Sequence, residues 1–226
     1  MKSKTYQYYG GRKASKLSKR KLGVLETLLP RLELNEDNID EYILDIAEKQ
    51  TNVSLEVGFG YGENLLNMIN SNGNNRKFIG CEPYLNGLAS FICKLEKENY
   101  NKIKLYKNDI RELLFSFSKK IFDEIFILFP DPWPKARHQK RRIINHENLK
   151  LFSSRLKING KIFVATDVEN YFESIQRLFE TFGKIKIMNT GSFDVRPKNI
   201  ISTKYEKKAV YKDIKPLYLE AKKILD

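Results

Sequence analysis

An apolar run that ends in three alternating glycines constrains the fold of this chain more than any other feature. The run covers residues 53–57 and predicts a buried strand, and Gly58, Gly60 and Gly62 follow it before helical character resumes at Glu63. Strand, glycine turn and helix in this order are typical of an open α/β sheet, in which ligands bind beyond the carboxyl ends of the strands. Glycines at that edge let a ligand approach the backbone closely. A glycine turn with a purely structural role is the alternative.

Short apolar runs alternate with helical stripes through the rest of the chain. Further strands are predicted at residues 78–81, 103–106, 121–129, 161–165 and 184–188. Helices are predicted from Leu22, Leu25, Leu29 and Leu32, and over residues 63–71, 85–95, 146–157 and 172–182, with Gly160 as a helix C-cap. This alternation predicts an α/β, Rossmann-like single domain, a mostly parallel doubly wound sheet with helices on both faces. We expect that domain over residues 22–226 and a basic flexible N-terminal arm over residues 1–21.

The charge of the chain indicates a polyanionic partner. Its 41 lysines and arginines against 28 acids give a net charge of +13. The basic residues concentrate in three runs, at residues 1–21, 135–142 and 196–208. Each run alone could be a solvated face, but three runs beside aromatic or glycine- and proline-rich segments favour nucleic acid.

Several classes of protein are disfavoured by the composition. No apolar run is long enough to span a membrane, and the chain shows no secretory leader, so we expect a cytoplasmic protein. Cys81 and Cys93 have no metal-binding spacing, and we expect no metal.

Acidic residues stand within or after the first three predicted strands. Glu56 lies inside the first strand, where a carboxylate needs a partner: the sulfonium or ammonium group of S-adenosylmethionine, or an internal donor. Glu82 follows the second strand, where an acid accepts hydrogen bonds from ribose hydroxyls. Asp109 follows the third strand and is either an acceptor for an adenine amino group or a helix cap. Together the three favour adenosine recognition.

The fourth strand runs into a proline-rich and then basic segment, Phe129-Pro-Asp-Pro-Trp-Pro-Lys-Ala-Arg-His-Gln-Lys-Arg-Arg142. Pro130 and Pro132 hold Asp131 stiffly at the tip of a central strand, where the reacting group of a substrate is expected. A turn-forming aspartate and a core tryptophan are the alternatives for Asp131 and Trp133.

Four segments closely resemble the bacterial tRNA (guanine-N7)-methyltransferases: LEVGFGYGEN, FPDPWPKARHQKRR, ATDVENYFE and RPKNIISTKYE. The resemblance extends from Tyr8 to about Lys212. It implies the class I methyltransferase fold, S-adenosylmethionine as methyl donor, and guanine 46 in the tRNA variable loop as substrate. Ile200-Ile201 and Lys207-Lys208-Ala209 depart from the family pattern.

The resemblance also assigns roles to residues. The cofactor contacts carry onto Glu56, Glu82, Asp109 and Asp131, beside the glycines Gly58, Gly60 and Gly62. Substrate contacts carry onto Lys135, Asp167 and the stretch Thr203, Lys204, Tyr205 and Glu206, and Arg196 is retained as an anchor. We expect Lys135, Arg137, Lys140, Arg141 and Arg142 to follow RNA phosphates. Asp131 is the predicted catalytic residue.

This chemistry needs few catalytic groups. Guanine N7 carries a free lone pair, so its methylation requires no general base, and neither His138 nor His146 is predicted to be one. Positive charge moves onto the guanine ring during transfer, and a nearby carboxylate favours that shift. We expect Asp131 or Asp167 to accept hydrogen bonds from the N1 and N2 edge of guanine, which would also select guanine over adenine.

Three other functions match parts of the same pattern of residues. A NAD-dependent dehydrogenase shares the sheet and the ribose acid but has a different glycine spacing. An adenine or cytosine amino-methyltransferase has an acid-Pro-Pro-aromatic motif, whereas Trp133 here replaces the second proline. A non-catalytic RNA-binding subunit has little need of the ordered acids. Monomer and homodimer both remain open, and no obligate partner protein is expected.

Overall fold

The computed structural model describes residues 16–71, 75–193, 196–198 and 200–226. They group into two compact units, one ending at Ile121 and one spanning Phe122–Asp226. Most of the predicted N-terminal arm lies outside the described residues, so the predicted division at residue 21 stays a prediction.

Three parallel strands form the sheet of the first unit, in the order β3-β2-β1. The strands are β1 (Asn52–Val57), β2 (Arg76–Cys81) and β3 (Ile103–Tyr106). The helices are α1 (Lys19–Thr27), α2 (Leu29–Leu32), α3 (Ile39–Glu48), α4 (Glu63–Ser71), α5 (Leu85–Ile92) and α6 (Ile110–Ser116), with a 3₁₀ helix at Lys97–Lys102. All of β1 after its first residue is buried, as the apolar run predicts.

The leucine stripe at residues 22–32 was predicted as one helix, and that prediction was wrong. α1 ends at Thr27 and α2 begins at Leu29, because Pro30 has no backbone N–H to continue the hydrogen bonding of α1 but is tolerated in the first turn of a new helix. Leu32 is 2% exposed, but Leu22 is 43% exposed, so the two ends of the stripe have different environments.

The second unit has four described strands in the order β4-β5-β7-β6. β4 pairs with β5 in parallel, and β7 pairs antiparallel with both β5 and β6. The strands are β4 (Phe122–Leu128), β5 (Leu156–Thr166), β6 (Ile185–Gly191) and β7 (Leu217–Lys223). The helices are α7 (His146–Arg155), α8 (Glu169–Thr181) and α9 (Lys204–Tyr211), with a 3₁₀ helix at Ala136–Arg141.

Two boundaries in this unit correct the sequence prediction. The helix predicted over residues 146–157 ends at Arg155, and β5 begins immediately at Leu156. Gly160 therefore lies inside β5 and is not a helix C-cap. The pairing register with β4 shifts here, and Asn159 takes a positive φ of 66°.

The α/β, Rossmann-like prediction is confirmed, with parallel pairing throughout β1–β3 and between β4 and β5. The elements α3, α6, α9 and β7 were not predicted. Within the described ranges, no helix is long and apolar enough to cross a membrane.

Candidate active site

The glycine loop after β1 has the left-handed backbone that glycine favours. The φ angles are 69° at Gly58, 57° at Gly60 and 75° at Gly62. The Gly58 amide donates to the Cys81 carbonyl over 2.8 Å, which ties the loop to the end of β2.

The space beside the loop glycines differs from one position to the next. A Cβ on Gly62 would stand 2.3 Å from Cδ2 of Phe91 on α5. On the facing side, a Cβ on Gly87 of α5 would stand 2.3 Å from the Gly60 carbonyl oxygen. A Cβ on Gly58 would meet no protein atom within 4 Å. The loop is therefore closely packed on α5 and open at Gly58, as expected of a loop that admits a ligand to its backbone.

Glu56 lies in β1, two residues before Gly58, and is 3% exposed. Its Oε2 accepts a 3.3 Å hydrogen bond from Nδ2 of Asn64, on the first turn of α4. Burial, opposed in part by this hydrogen bond, raises the pKa of Glu56 to about 8. The internal donor left open by the sequence is therefore Asn64, and a cation beside the carboxyl would favour its ionised form.

Glu82 follows β2 and holds two backbone segments. Its Oε2 accepts from the Gly60 amide over 2.7 Å, and its Oε1 accepts from the Tyr84 amide over 2.8 Å. A carboxylate oxygen can accept more than one hydrogen bond, so the two backbone bonds do not by themselves exclude ribose hydroxyls. Glu82 thus fixes the middle of the glycine loop at the place where the sequence predicts a ribose.

Asp109 follows β3 and caps α6, the alternative that the sequence left open. Its Oδ1 accepts from the amide and the Nε of Arg111 over 2.9 and 2.8 Å, and its Oδ2 accepts from Nη2 over 2.7 Å. The adenine contact predicted for Asp109 would have to use the remaining lone pair of Oδ2. Glu56, Glu82 and Asp109 all follow or end parallel strands of one sheet, so they belong to the same edge of it.

Asp131 stands beyond the tip of β4 in the second unit, on a strained turn. The turn is flanked by two non-glycine residues with positive φ, Phe129 at 52° and Trp133 at 42°. The Phe129 amide donates to the Ala165 carbonyl over 2.7 Å, which fixes the start of the turn to the end of β5. Asp131 remains exposed, yet partial desolvation raises the pKa of its carboxyl.

Asp167 comes directly after β5. Leu128 pairs with Ala165 in the parallel register of β4 and β5, so Asp131 and Asp167 follow neighbouring strands at the same edge. The two residues that the sequence proposes for the guanine therefore follow adjacent parallel strands of the second unit.

The basic run after Trp133 divides into exposed and packed side chains. Lys135, Arg137 and Lys140 are exposed along the 3₁₀ helix and its start. The guanidinium of Arg141 lies 5.2 Å from the centre of the Trp133 ring. Trp133 is only half-buried, so it is not the core aromatic that the sequence left open.

Arg142 departs from the predicted phosphate track. It is 6% exposed, its Nε donates to the Pro132 carbonyl over 2.8 Å, and its guanidinium lies 4.4 Å from the centre of the Tyr171 ring. A guanidinium enclosed in this way has little surface for a phosphate, and we correct its assignment accordingly.

The predicted C-terminal substrate stretch is organised by α9. Thr203 caps the helix by accepting from the Glu206 amide over 3.2 Å, while Lys204 and Tyr205 are exposed. Glu206 is buried and accepts from Nη1 of Arg196 over 2.9 Å and from the Tyr218 hydroxyl over 2.7 Å. Glu206 and Arg196 therefore tie α9 to the preceding segment and to β7, and the substrate contacts predicted for them stay predictions.

Several partners in these networks escaped prediction. Asn64 was visible only as the last letter of the glycine motif, and Arg111 had no pattern of its own. Tyr218 lies on β7, which was not predicted as a strand. Tyr218 stands between Leu217 and Leu219, where an alternating pattern would have a charged residue. Among the described residues, no cluster of histidine, cysteine, aspartate or glutamate could hold a metal ion.

This fold and this strand-edge arrangement define a class of protein. A solved structure titled "Structure of an Antibiotic Related Methyltransferase" superposes with a TM-score of 0.62 at 17% identity, covering 88% of this chain and 99% of that one. The chain has the fold of the class I methyltransferases, and residues 50–217 match a family model described as "Putative methyltransferase".

The sequence comparisons narrow the class to a family. The tRNA (guanine-N(7)-)-methyltransferase of Buchnera aphidicola is 38% identical over 176 residues, covering 77% of this chain and 72% of that protein. The protein of the same name from Wolbachia pipientis is 44% identical over 138 residues, covering 61% of this chain and 62% of that protein. This chain belongs to the tRNA (guanine-N7)-methyltransferase family. It spans only about 40% of the length of the bifunctional methyltransferases of Rickettsia species that it also matches.

Proposed function

We propose that this protein transfers a methyl group from S-adenosylmethionine to N7 of a guanine in the variable loop of tRNA. The observation that carries the proposal is its similarity to proteins named tRNA (guanine-N(7)-)-methyltransferase, one of which it covers over 72% of its length. The order of acids and glycines along the strands supports the same reaction.

The first unit supplies the residues proposed to bind the methyl donor. The open backbone at Gly58 admits the ligand, and Glu82 accepts from its ribose hydroxyls. Glu56 accepts from a positively charged group of the donor, which offsets the cost of burying an ionised carboxylate. Oδ2 of Asp109, which already accepts from Arg111, is proposed to accept a second hydrogen bond from the adenine amino group.

The second unit supplies the residues proposed to bind guanine. Asp131 and Asp167 accept from the N1 and N2 edge, and their negative charge favours the positive charge that develops on the ring. The N7 lone pair forms the new bond to carbon, and the electron pair of the broken carbon–sulfur bond stays on sulfur. Alignment of the reacting atoms supplies most of the acceleration, a contribution of about 7–11 kcal/mol in favourable cases.

Two exposed basic surfaces are proposed to hold the RNA. One comprises Lys135, Arg137 and Lys140 beside the tip of β4. The other is the outer face of α9, where Lys204, Lys207 and Lys208 are exposed and the one acid of the helix, Glu206, is buried. Tyr211 ends this face at 92% exposure and offers a ring on which an unpaired base can stack.

A methyl-transfer assay with two matched RNAs tests the proposal. Unmodified tRNA and a copy with adenine in place of the variable-loop guanine are incubated with donor labelled on its methyl group. We expect label in the first RNA and none in the second. Equal labelling of both RNAs, or of neither, would refute the assignment, and donor binding measured separately distinguishes a wrong substrate from an inactive preparation.

A further inference from the structure

Arg142 is the most enclosed of the basic residues in the segment 135–142. Lys135, Arg137 and Lys140 project into solvent, whereas Arg142 is 6% exposed. Burying a guanidinium is costly unless its donors are satisfied, so the contacts of Arg142 indicate what it does.

The contacts of Arg142 join the turn at Asp131 to α8. Its Nε donates to the Pro132 carbonyl over 2.8 Å, one residue after Asp131. From the other side of the guanidinium, Nη1 donates to Oγ of Ser174 over 3.3 Å and Nη2 to Oδ1 of Asn170 over 3.5 Å. The planar group also lies over the ring of Tyr171 at 4.4 Å.

The segment that follows Arg142 is fixed to the same helix. The Tyr171 hydroxyl accepts from the Ile144 amide over 3.3 Å, and Asn145 donates through its side chain to the Arg142 carbonyl over 2.9 Å. Arg142 thus has partners on both sides, and its bond to Pro132 closes the loop 133–141, which carries the exposed basic residues.

The turn at Asp131 needs such a restraint. Phe129 and Trp133 both hold positive φ angles, a conformation that is unfavourable for a non-glycine residue and persists only where surrounding contacts enforce it. The bond from Phe129 to Ala165 restrains the first of these residues. The bond from Arg142 to Pro132 restrains the segment on the other side of Asp131.

We propose that Arg142 is a positioning residue that holds the Asp131 turn in its reactive geometry, and that it is not a phosphate contact. The inference rests on the proposed function for the role of Asp131, but the bond to Pro132 is open to test without any substrate. Small displacements of an aligned group cost up to about a hundredfold in rate.

Trp133 gives a direct readout of the turn because it is the only tryptophan in the chain. Arg142→Lys keeps the charge but cannot reproduce the fork of donors. In this variant, without RNA or donor, we expect acrylamide to quench Trp133 fluorescence more strongly than in the wild type. Arg177→Lys makes the same exchange at an exposed site on α8 and should leave quenching and activity unchanged.

Kinetics separate positioning from RNA binding. For Arg142→Lys we expect kcat at saturating tRNA to fall roughly tenfold or more, with tRNA affinity and its salt dependence unchanged. For Lys140→Ala we expect weaker tRNA binding, a salt slope smaller by about one, and unchanged Trp133 quenching. The proposal would be overturned if Arg142→Lys weakened tRNA binding, reduced the salt slope and left Trp133 quenching unchanged. It would also be overturned if the variant had normal quenching and a normal kcat.

A second variant covers the case in which Arg142→Lys does not fold. Asn170 and Ser174 are exposed on α8, and replacing both with alanine removes the outer anchors while leaving Arg142 in place. We expect the same changes in quenching and kcat, smaller in size. No change in either would contradict the anchoring role. If the wild type proves to lack methyl transfer, the quenching comparison still decides whether Arg142 holds the turn.

Discussion

At the scale of single residues, two carboxyl groups proposed to take part in the reaction both have raised pKa values but lie in opposite environments. Glu56 is enclosed beside Asn64 and has a pKa of about 8, whereas Asp131 is exposed and only partly desolvated. Burial therefore favours the protonated form of Glu56 at neutral pH, and we expect the carboxyl to ionise when the methyl donor binds. We expect the exposed carboxylate of Asp131 to accept hydrogen bonds from the substrate. The sequence located both residues, but the proton on Glu56 follows from burial that only the folded chain defines.

Replacing Glu56 with glutamine should change how stability depends on pH. The unfolded chain loses the Glu56 proton near pH 4.5, whereas the folded chain keeps it until about pH 8. Between these values the folded state binds more protons, so the contribution of Glu56 to stability falls as pH rises. We expect Glu56→Gln to be stabilised relative to wild type more at pH 8.5 than at pH 5.5, as measured by urea unfolding. A difference that is constant across this range would contradict the buried, protonated state.

Binding of the donor should release the Glu56 proton. A cation beside the carboxyl favours its ionised form, so calorimetric titration near pH 7 in two buffers of different ionisation enthalpy should show protons leaving the protein. Glu56→Gln should bind more weakly and release fewer protons. Equal release from both proteins would place the titrating group elsewhere.

Asp131 should set the acidic limb of the rate profile. Its carboxylate must be ionised to accept from guanine, and desolvation raises its pKa above the ordinary value of 3.8. We expect kcat to fall as the pH is lowered, with a midpoint above 3.8, and Asp131→Asn to lose most of its activity at every pH. An asparagine variant with normal turnover and normal choice of guanine would remove Asp131 from the reaction.

At the scale of elements, two glycines of the same loop are expected to have different roles: Gly62 packs against Phe91, and Gly58 leaves space for a ligand. Gly58 and Gly62 both have positive φ, so alanine at either costs about 1–2 kcal/mol of backbone strain. Alanine at Gly62 would also collide with Phe91, whereas alanine at Gly58 has open space beside it. We expect Gly62→Ala to be the less stable variant by urea unfolding, and Gly58→Ala to lose donor affinity with the smaller loss of stability. If Gly58→Ala bound the methyl donor normally and were the less stable of the two variants, Gly58 would not be the point at which the loop faces the donor.

Elements were predicted correctly where neighbouring residues in the sequence mark them, and were missed where they depend on partners distant in sequence. β1 to β4 are short apolar runs bounded by polar residues, and these were located to within two residues. The stripe at residues 22–32 failed because Pro30 interrupts a helix that the leucine spacing alone would continue. β7 was missed because its charged residues face partners across β5 and β6, which are distant in sequence.

The site showed the same division between local and distant information. Motif position placed Glu56, Glu82 and Asp131 at or near strand ends, because the apolar run that forms each strand is visible in the sequence. Motif position could not distinguish Arg142 from Arg137, since burial against Tyr171 depends on a helix about thirty residues further along.

At the scale of the whole molecule, the net charge of +13 predicts RNA binding dominated by phosphate contacts. We expect tRNA affinity to fall steeply between about 50 and 200 mM salt. Replacing Lys207 and Lys208 with alanine should weaken binding and reduce the salt slope by about one per lysine. Lys119 and Lys120, which precede β4 and lie outside the proposed surfaces, offer a control of equal charge. An equal effect from both pairs would indicate that only net charge matters.

The most direct test of the account is the position of the methyl group in the product. Unmodified tRNA is treated with the protein and donor, reduced with borohydride, and cleaved with aniline at 7-methylguanine. The account predicts one cleavage site, at a guanine of the variable loop, which Asp131→Asn greatly reduces. Cleavage elsewhere in the tRNA, or methylation without any 7-methylguanine, would contradict it.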